Sequence, residues 1–208
     1  MFRNLRSQPW SGQAQGLTYQ RAIGALENYG HYAEVTLLGQ KWIETLERCG
    51  RFVQQFDPFT GAPALSKQDG YGPTLLAMLE YLSRMHGVSL DVVNGQVWWS
   101  ALADGKDFTY TQRWGDRTWT LTSEKGIFRA RLNDRELFSC TAGVRVVTDL
   151  DGKNCQVVGI DSKPQSGSVQ MGGQRIEFSV APNQVLRLDG KKFQVASAVP
   201  FDYPFHKK

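Results

Sequence analysis

Pro73-Thr74-Leu75-Leu76-Ala77-Met78-Leu79-Glu80-Tyr81-Leu82-Ser83-Arg84-Met85-His86-Gly87-Val88-Ser89-Leu90 is the stretch in which the chain changes its period. Leu75, Leu76, Leu79, Leu82 and Met85 recur at three- and four-residue steps, which lays apolar side chains along one helical stripe. Pro73 suits a first helical turn, where a missing N–H costs no intrahelical bond. The stripe stops at Gly87. From about Val88 onward the apolar residues alternate with polar ones or are β-branched, as strands require.

Moving toward the N-terminus, two more helical stripes appear. Leu17, Ala22, Ile23, Leu26 and Tyr29 define the first, closed by Gly30. Ala33, Val35, Leu38, Trp42, Ile43 and Leu46 define the second, closed by Gly50. A long polar connection, residues 51–70, precedes the third; connections of that length in compact helical units are often functional. Toward the C-terminus, Trp119-Thr120-Leu121-Thr122, Ile127-Phe128-Arg129-Ala130-Arg131-Leu132 and Val144-Arg145-Val146-Val147-Thr148 read as strands. Asn133-Asp134, Asp151-Gly152, Gly172-Gly173 and Asp189-Gly190 punctuate this half at hairpin spacing. No helix follows Gly172-Gly173, so it reads as a turn and not as a phosphate loop. The fold class expected is α+β: a helical region over residues 1–90 and a β-sandwich over 91–208, with the boundary near Leu90–Asn94.

Composition narrows the function. The 208 residues carry a net charge of +4 with basic and acidic side chains interspersed, which gives no support to nucleic-acid or membrane-surface binding. No run approaches the roughly eighteen apolar residues of a membrane span. Met1-Phe2-Arg3-Asn4-Leu5-Arg6 is too polar for a signal peptide; a cytoplasmic protein is expected if Met1 is the natural start. Cys49, Cys140 and Cys155 are odd in number and lack metal-ligand spacing. With only His31, His86 and His206 beside them, they imply free thiols, no metal and no cofactor.

The helical half carries text resembling a known family. Pro9-Trp10-Ser11-Gly12-Gln13 precedes a helix ending in Tyr29-Gly30. The connection contains Gln54-Gln55-Phe56-Asp57-Pro58-Phe59-Thr60-Gly61, and Asp69-Gly70-Tyr71-Gly72-Pro73-Thr74 opens the third helix. In this order and spacing, residues 8–87 resemble the C-terminal part of the six-hairpin toroid glycosidases, the trehalase-like, mannosylglycerate-hydrolase-like and processing-glucosidase group. The resemblance implies an (α/α)6 ring of paired helices with a pocket at one end. It also implies an inverting mechanism in which two carboxyl groups, about 6.5–9.5 Å apart, act as acid and as base. The family's acid belongs on a segment N-terminal to this chain's own residues. Its base is a Glu shortly before Asp-Pro, and the matching residue here is Gln54, or Gln55 if the register shifts by one. A carboxamide has no lone pair basic enough to take a proton from water. No intact catalytic pair is therefore expected.

The remaining candidates have two readings each. In the family the Trp-x-Gly loop lines the pocket, so Trp10 is placed to stack on a sugar face and Gln13 to bond its hydroxyls. A tryptophan at a helix start is equally at home as a core anchor. Gln54 and Tyr71 complete the substrate-binding set, Tyr71 with a packing role as its alternative. Asp57 fits a turn, bonding local backbone ahead of Pro58, better than it fits a base. Glu44 and Glu47 read as solvated helix charges. In the β half Trp98, Trp99, Trp114, Trp119, Phe108 and Tyr110 suggest sugar stacking, but a sandwich needs core aromatics, and neighbours such as Trp98 and Trp99 point to opposite faces.

The expectation is a partial glycosidase, inactive alone, with a carbohydrate as the ligand and either self-association or a complementary chain supplying the rest of the ring. A ring cut open exposes apolar surface meant for its neighbours. A non-catalytic carbohydrate-binding or scaffolding module is the alternative. A hydrolase using Asp57 as base is the third.

Overall fold

The computed structural model describes residues 12–64 and 69–202. The described residues form an α+β structure with three helices: α1 (Gly16–Asn28), α2 (Tyr32–Cys49) and α3 (Gly72–Met85). The short strands β1 (Ala14–Gln15) and β2 (Gln55–Phe56) pair beside the helices. Two six-stranded antiparallel sheets follow. The inner one contains β3 (His86–Asp91), β4 (Gln96–Ala101), β9 (Val144–Asp149), β10 (Gln156–Gly159), β13 (Gln184–Asp189) and β14 (Lys192–Ala198). The outer one contains β5 (Phe108–Trp114), β6 (Arg117–Glu124), β7 (Ile127–Leu132), β8 (Arg135–Thr141), β11 (Gln165–Met171) and β12 (Gln174–Val180). Their spatial orders are β14-β13-β10-β9-β4-β3 and β12-β11-β8-β7-β6-β5.

The layers follow from strand alternation. Trp99, Val146, Val157 and Leu186 lie in register across four inner strands and face the outer sheet. There they meet Trp119, Leu121, Phe128, Phe138 and Val169. The intervening residues Trp98, Val147, Val158 and Val185 face the other way and pack on Ile23, Val35, Trp42, Tyr81 and Met85 of the helices. The inner sheet is thus covered on both faces, the helices forming a third layer over a β-sandwich.

Several local signals act as read. Gly50 ends α2 in the left-handed region, its N–H bonding Leu46 O at 2.8 Å. Pro73 sits in the first turn of α3. Gly172 and Gly173 both hold positive φ in the β11–β12 hairpin, a conformation that favours glycine. Gly87 differs. The helix ends at Met85 and Gly87 lies inside β3, so the position-90 boundary falls within a strand that continues directly from α3. A Cβ on Gly87 would stand 2.9 Å from Ser83 Cα and 3.0 Å from the Tyr110 ring. Close packing of helix and strand, not helix capping, requires the glycine.

Two buried polar clusters fasten the helices to the sheet. Arg145 of β9, 1% exposed, donates to Glu27 of α1 at 2.8 Å, to Ser100 Oγ at 3.0 Å and to Arg84 O at 3.3 Å. Its guanidinium lies 4.9 Å from the Trp98 ring centroid. Burial lowers its pKa, and the Glu27 carboxylate opposes that shift by favouring the charged form. At the other cluster Asn183 accepts the Ala33 N–H at 2.7 Å and donates to Glu34 at 2.8 Å.

Candidate functional site

The connection after α2 is tied to the starts of both α1 and α3. Gly16 N–H donates to Gln54 O, and Ala14 and Gln15 pair with Phe56 and Gln55. Tyr71 N–H donates to Phe52 O at 2.7 Å, and Thr74 Oγ1 donates to Val53 O at 2.7 Å. Gln13, Gln54 and Tyr71 are therefore gathered where α1 and α3 begin and α2 ends. All three are half-buried. The Gln13 Oε1 atom is buried without a hydrogen-bond partner among the described residues. Trp10 lies outside the described residues.

Sequence dictates this gathering through a close helix contact. A Cβ on Gly16 would fall 2.1 Å from Thr74 Oγ1 and 2.9 Å from Thr74 Cα, so only glycine lets the two helix starts touch. Near the far ends Arg84 of α3 reaches Glu27 of α1 at 3.4 Å. Contacts 16–74 and 27–84 run in the same sense, so α1 and α3 are parallel. Gly39 lies against Tyr81, and Ile43 and Leu46 share a groove with Met78 and Leu82, so α2 returns antiparallel to α3.

Asp57 is committed to its turn. Its Oδ1 accepts the Phe59 N–H at 3.0 Å, the Thr60 N–H at 2.8 Å and the Thr60 hydroxyl at 3.0 Å. These bonds, the Thr60 N–H foremost, hold its carboxyl below the ordinary carboxylate range. That direction weakens a base and disqualifies a proton donor. Glu44 shares a cleft with Asp57 but lies on the exposed face of α2. Glu47 is exposed as well.

No family model, curated protein or solved structure matches the chain.

The aromatics of the β half divide cleanly. Trp99 and Trp119 are core residues. Trp98 is capped by Arg84 and Arg145, at 5.6 and 4.9 Å. Phe108 and Tyr110 are half-buried against the sandwich core, and Trp114 stands exposed near the end of β5. Trp98 lies on the helix-facing side of its sheet and is half-buried there. Cys140 and Cys155 are buried free thiols and Cys49 is half-buried; burial pushes Cys155 up to about 12. Among the described residues no three His, Cys, Asp or Glu side chains form a metal-sized group, and no helix is long and apolar enough to cross a membrane.

Sequence reading missed two features. Arg145 was hidden in what reads as a plain strand. The stacked pair Tyr19–Trp42, with ring centroids 4.2 Å apart, joins α1 to α2 beside the Asp57 turn. An arginine amid three valines and a threonine of one strand was the available signal for the first.

Proposed function

We propose that the chain is the closing segment of a six-hairpin glycosidase ring, its last helices braced by a β-sandwich, and that it does not hydrolyse glycosides by itself. Parallel α1 and α3 in direct contact, with α2 antiparallel beside α3, is the arrangement expected of consecutive ring hairpins. Gln13, Gln54 and Tyr71, the described residues of the loops named by the resemblance, gather at one end of these helices, where a ring pocket would open. The position of the family's base holds Gln54, and a carboxamide cannot activate water.

The observation that carries the reading is the second apolar face of α3. Thr74, Ala77, Tyr81 and Met85 are buried on one side. Leu75, Leu76 and Leu79 remain 36%, 55% and 47% exposed on another, continuous with half-buried Met78 and Leu82. Grooves run along both flanks of this ridge, one toward Phe52 and one toward Phe108 and Tyr110. A helix apolar on two faces belongs between two layers, and here one layer is in place. The ridge is the seam where further paired helices of the ring pack. In isolation it drives self-association.

Sedimentation velocity over a roughly hundredfold dilution tests this, because assembly through an apolar seam follows mass action. A mass that falls with dilution is expected. A single-chain mass at every concentration would overturn the reading.

A further inference from the structure

The chain holds one Asn-Gly pair, Asn94-Gly95, at the tip of the β3–β4 hairpin. Val92, Val93 and Asn94 are all exposed there, so water reaches the amide. A following glycine has no Cβ to keep its nitrogen away from the asparagine side chain. The other described asparagines lack that opening: Tyr29 follows Asn28, Asp134 follows Asn133, Cys155 follows Asn154 and Gln184 follows Asn183. Asn133, Asn154 and Asn183 are also held at positive φ, and Asn183 is buried.

Asp91 grips Asn94 twice. The Asn94 N–H donates to Asp91 Oδ1 at 3.1 Å, and the side-chain amide donates through Nδ2 to Asp91 Oδ2 at 2.7 Å. A bond of that length to a carboxylate is charge-assisted. Gly95 is tied less firmly, its N–H donating to Val92 O at 3.3 Å, beyond the usual range. The nitrogen that could attack is loosely held and the amide that would leave is tightly held. Asp91 therefore restrains the reaction without preventing it.

We propose that Asn94 is a site of spontaneous covalent modification, converted to aspartate and isoaspartate by attack of the Gly95 nitrogen on its side chain. The new bond joins Gly95 N to Asn94 Cγ and closes a cyclic imide. The Cγ–Nδ2 bond breaks, and the amide leaves as ammonia carrying the Gly95 proton. Water then opens either carbonyl of the ring. The step needs no oxidant, metal or second protein. Both products set a carboxylate where Asn94 donated to Asp91, so an attraction across the turn becomes a repulsion between like charges. The site lies on the β3–β4 hairpin and is independent of the ring reading.

Peptide mapping by mass spectrometry, on the full-length chain aged in mildly alkaline buffer, tests it. The tryptic peptide spanning residues 85–106 contains Asn94 as its single asparagine. The expected result is an amide-to-acid mass change in that peptide ahead of every other asparagine-containing peptide, with isoaspartate identified by electron-transfer fragmentation. Asp91→Ala is expected to speed the change by about tenfold, because it frees the amide from a charge-assisted bond. Gly95→Ala should slow it to the level of the other asparagines, since a Cβ now hinders the nitrogen. Asn94→Asp, which carries the charge of the product, is expected to lower Tm by about 2–4 °C. An Asn94 peptide that keeps its amide while other asparagines convert would overturn the proposal. So would conversion at one rate in the wild type, Asp91→Ala and Gly95→Ala. An Asn94→Asp chain as stable as the wild type would overturn the repulsion assigned to the products.

Discussion

At the residue scale, Gln54 and Arg145 make opposite points about a single side chain. On the proposed ring reading, replacing Gln54 by Glu puts a carboxylate at the position matched to the family's base, but proton donation to the leaving oxygen still needs a second group. Asp57 is held in the ionised direction by three local bonds and cannot be that donor. Gln54→Glu is therefore expected to leave release from nitrophenyl α-glycosides at the buffer background. Release above background would mean that the chain carries an acid of its own. Arg145 is a matter of desolvation. Glu27 is its carboxylate partner at 2.8 Å inside the protein. Glu27→Ala strands a buried guanidinium and is expected to cost about 3–5 kcal/mol in urea unfolding. The double change Glu27→Leu with Arg145→Met should cost far less, because the stranded charge leaves with its partner. Equal losses in the two variants would show that packing, not charge pairing, sets the penalty.

At the scale of elements, the junction of α3 and β3 shows what a sequence conceals. The helix after Pro73 and the alternation beyond it were both legible, as were the Gly50 stop and the Gly172–Gly173 hairpin. The stripe was not, because Leu75, Leu76 and Leu79 lie on the exposed face and Thr74, Ala77, Tyr81 and Met85 form the buried one. The role of Gly87 was not, since a glycine between two periods reads as a terminator until Tyr110, twenty-three residues on, arrives against it. The neighbour, His86, gives the junction a proton linkage. Its Nε2 lies 3.2 Å from Asp104 Oδ2, and its ring meets the edge of Phe108. Burial lowers its pKa most; Asp104 acts against that and Lys106 with it. The folded value thus lies below the unfolded one of about 6.5. Above that pH both states hold a neutral ring and stability is unaffected. As pH falls below it, the unfolded chain takes up a proton that the folded chain resists, and stability declines until the folded value is reached. Between about pH 7.5 and 5.5 the wild type is expected to lose more Tm than His86→Gln, the shared carboxylates cancelling in the comparison. Parallel Tm profiles would remove His86 from the linkage.

At the scale of the whole molecule, the two periods in the sequence became three layers, and the third was the part least legible. Read alone, a β-sandwich beside a helical region leaves the inner sheet's other face open to water. The consecutive valines Val146–Val147 and Val157–Val158 were the sign that it is not, because a strand covered on both faces loses its alternation. Each pair puts one valine into the sandwich core and one under the helices. The same logic, turned outward, concerns α3. Its buried face holds Thr74, Ala77, Tyr81 and Met85, so Leu76 and Leu79, 55% and 47% exposed, contribute little to the fold of the single chain. Leu76→Lys with Leu79→Lys is therefore expected to leave the unfolding midpoint nearly unchanged, surface substitutions costing within about 0.5 kcal/mol. It should also abolish the dilution-dependent mass, since a lysine pair facing its own copy adds repulsion to lost apolar contact. The two measurements separate the alternatives. Lost stability with unchanged association would place the leucines in this chain's own core, whereas retained stability with lost association places them at a seam. Association that persists in the double variant at wild-type strength would refute the seam on α3.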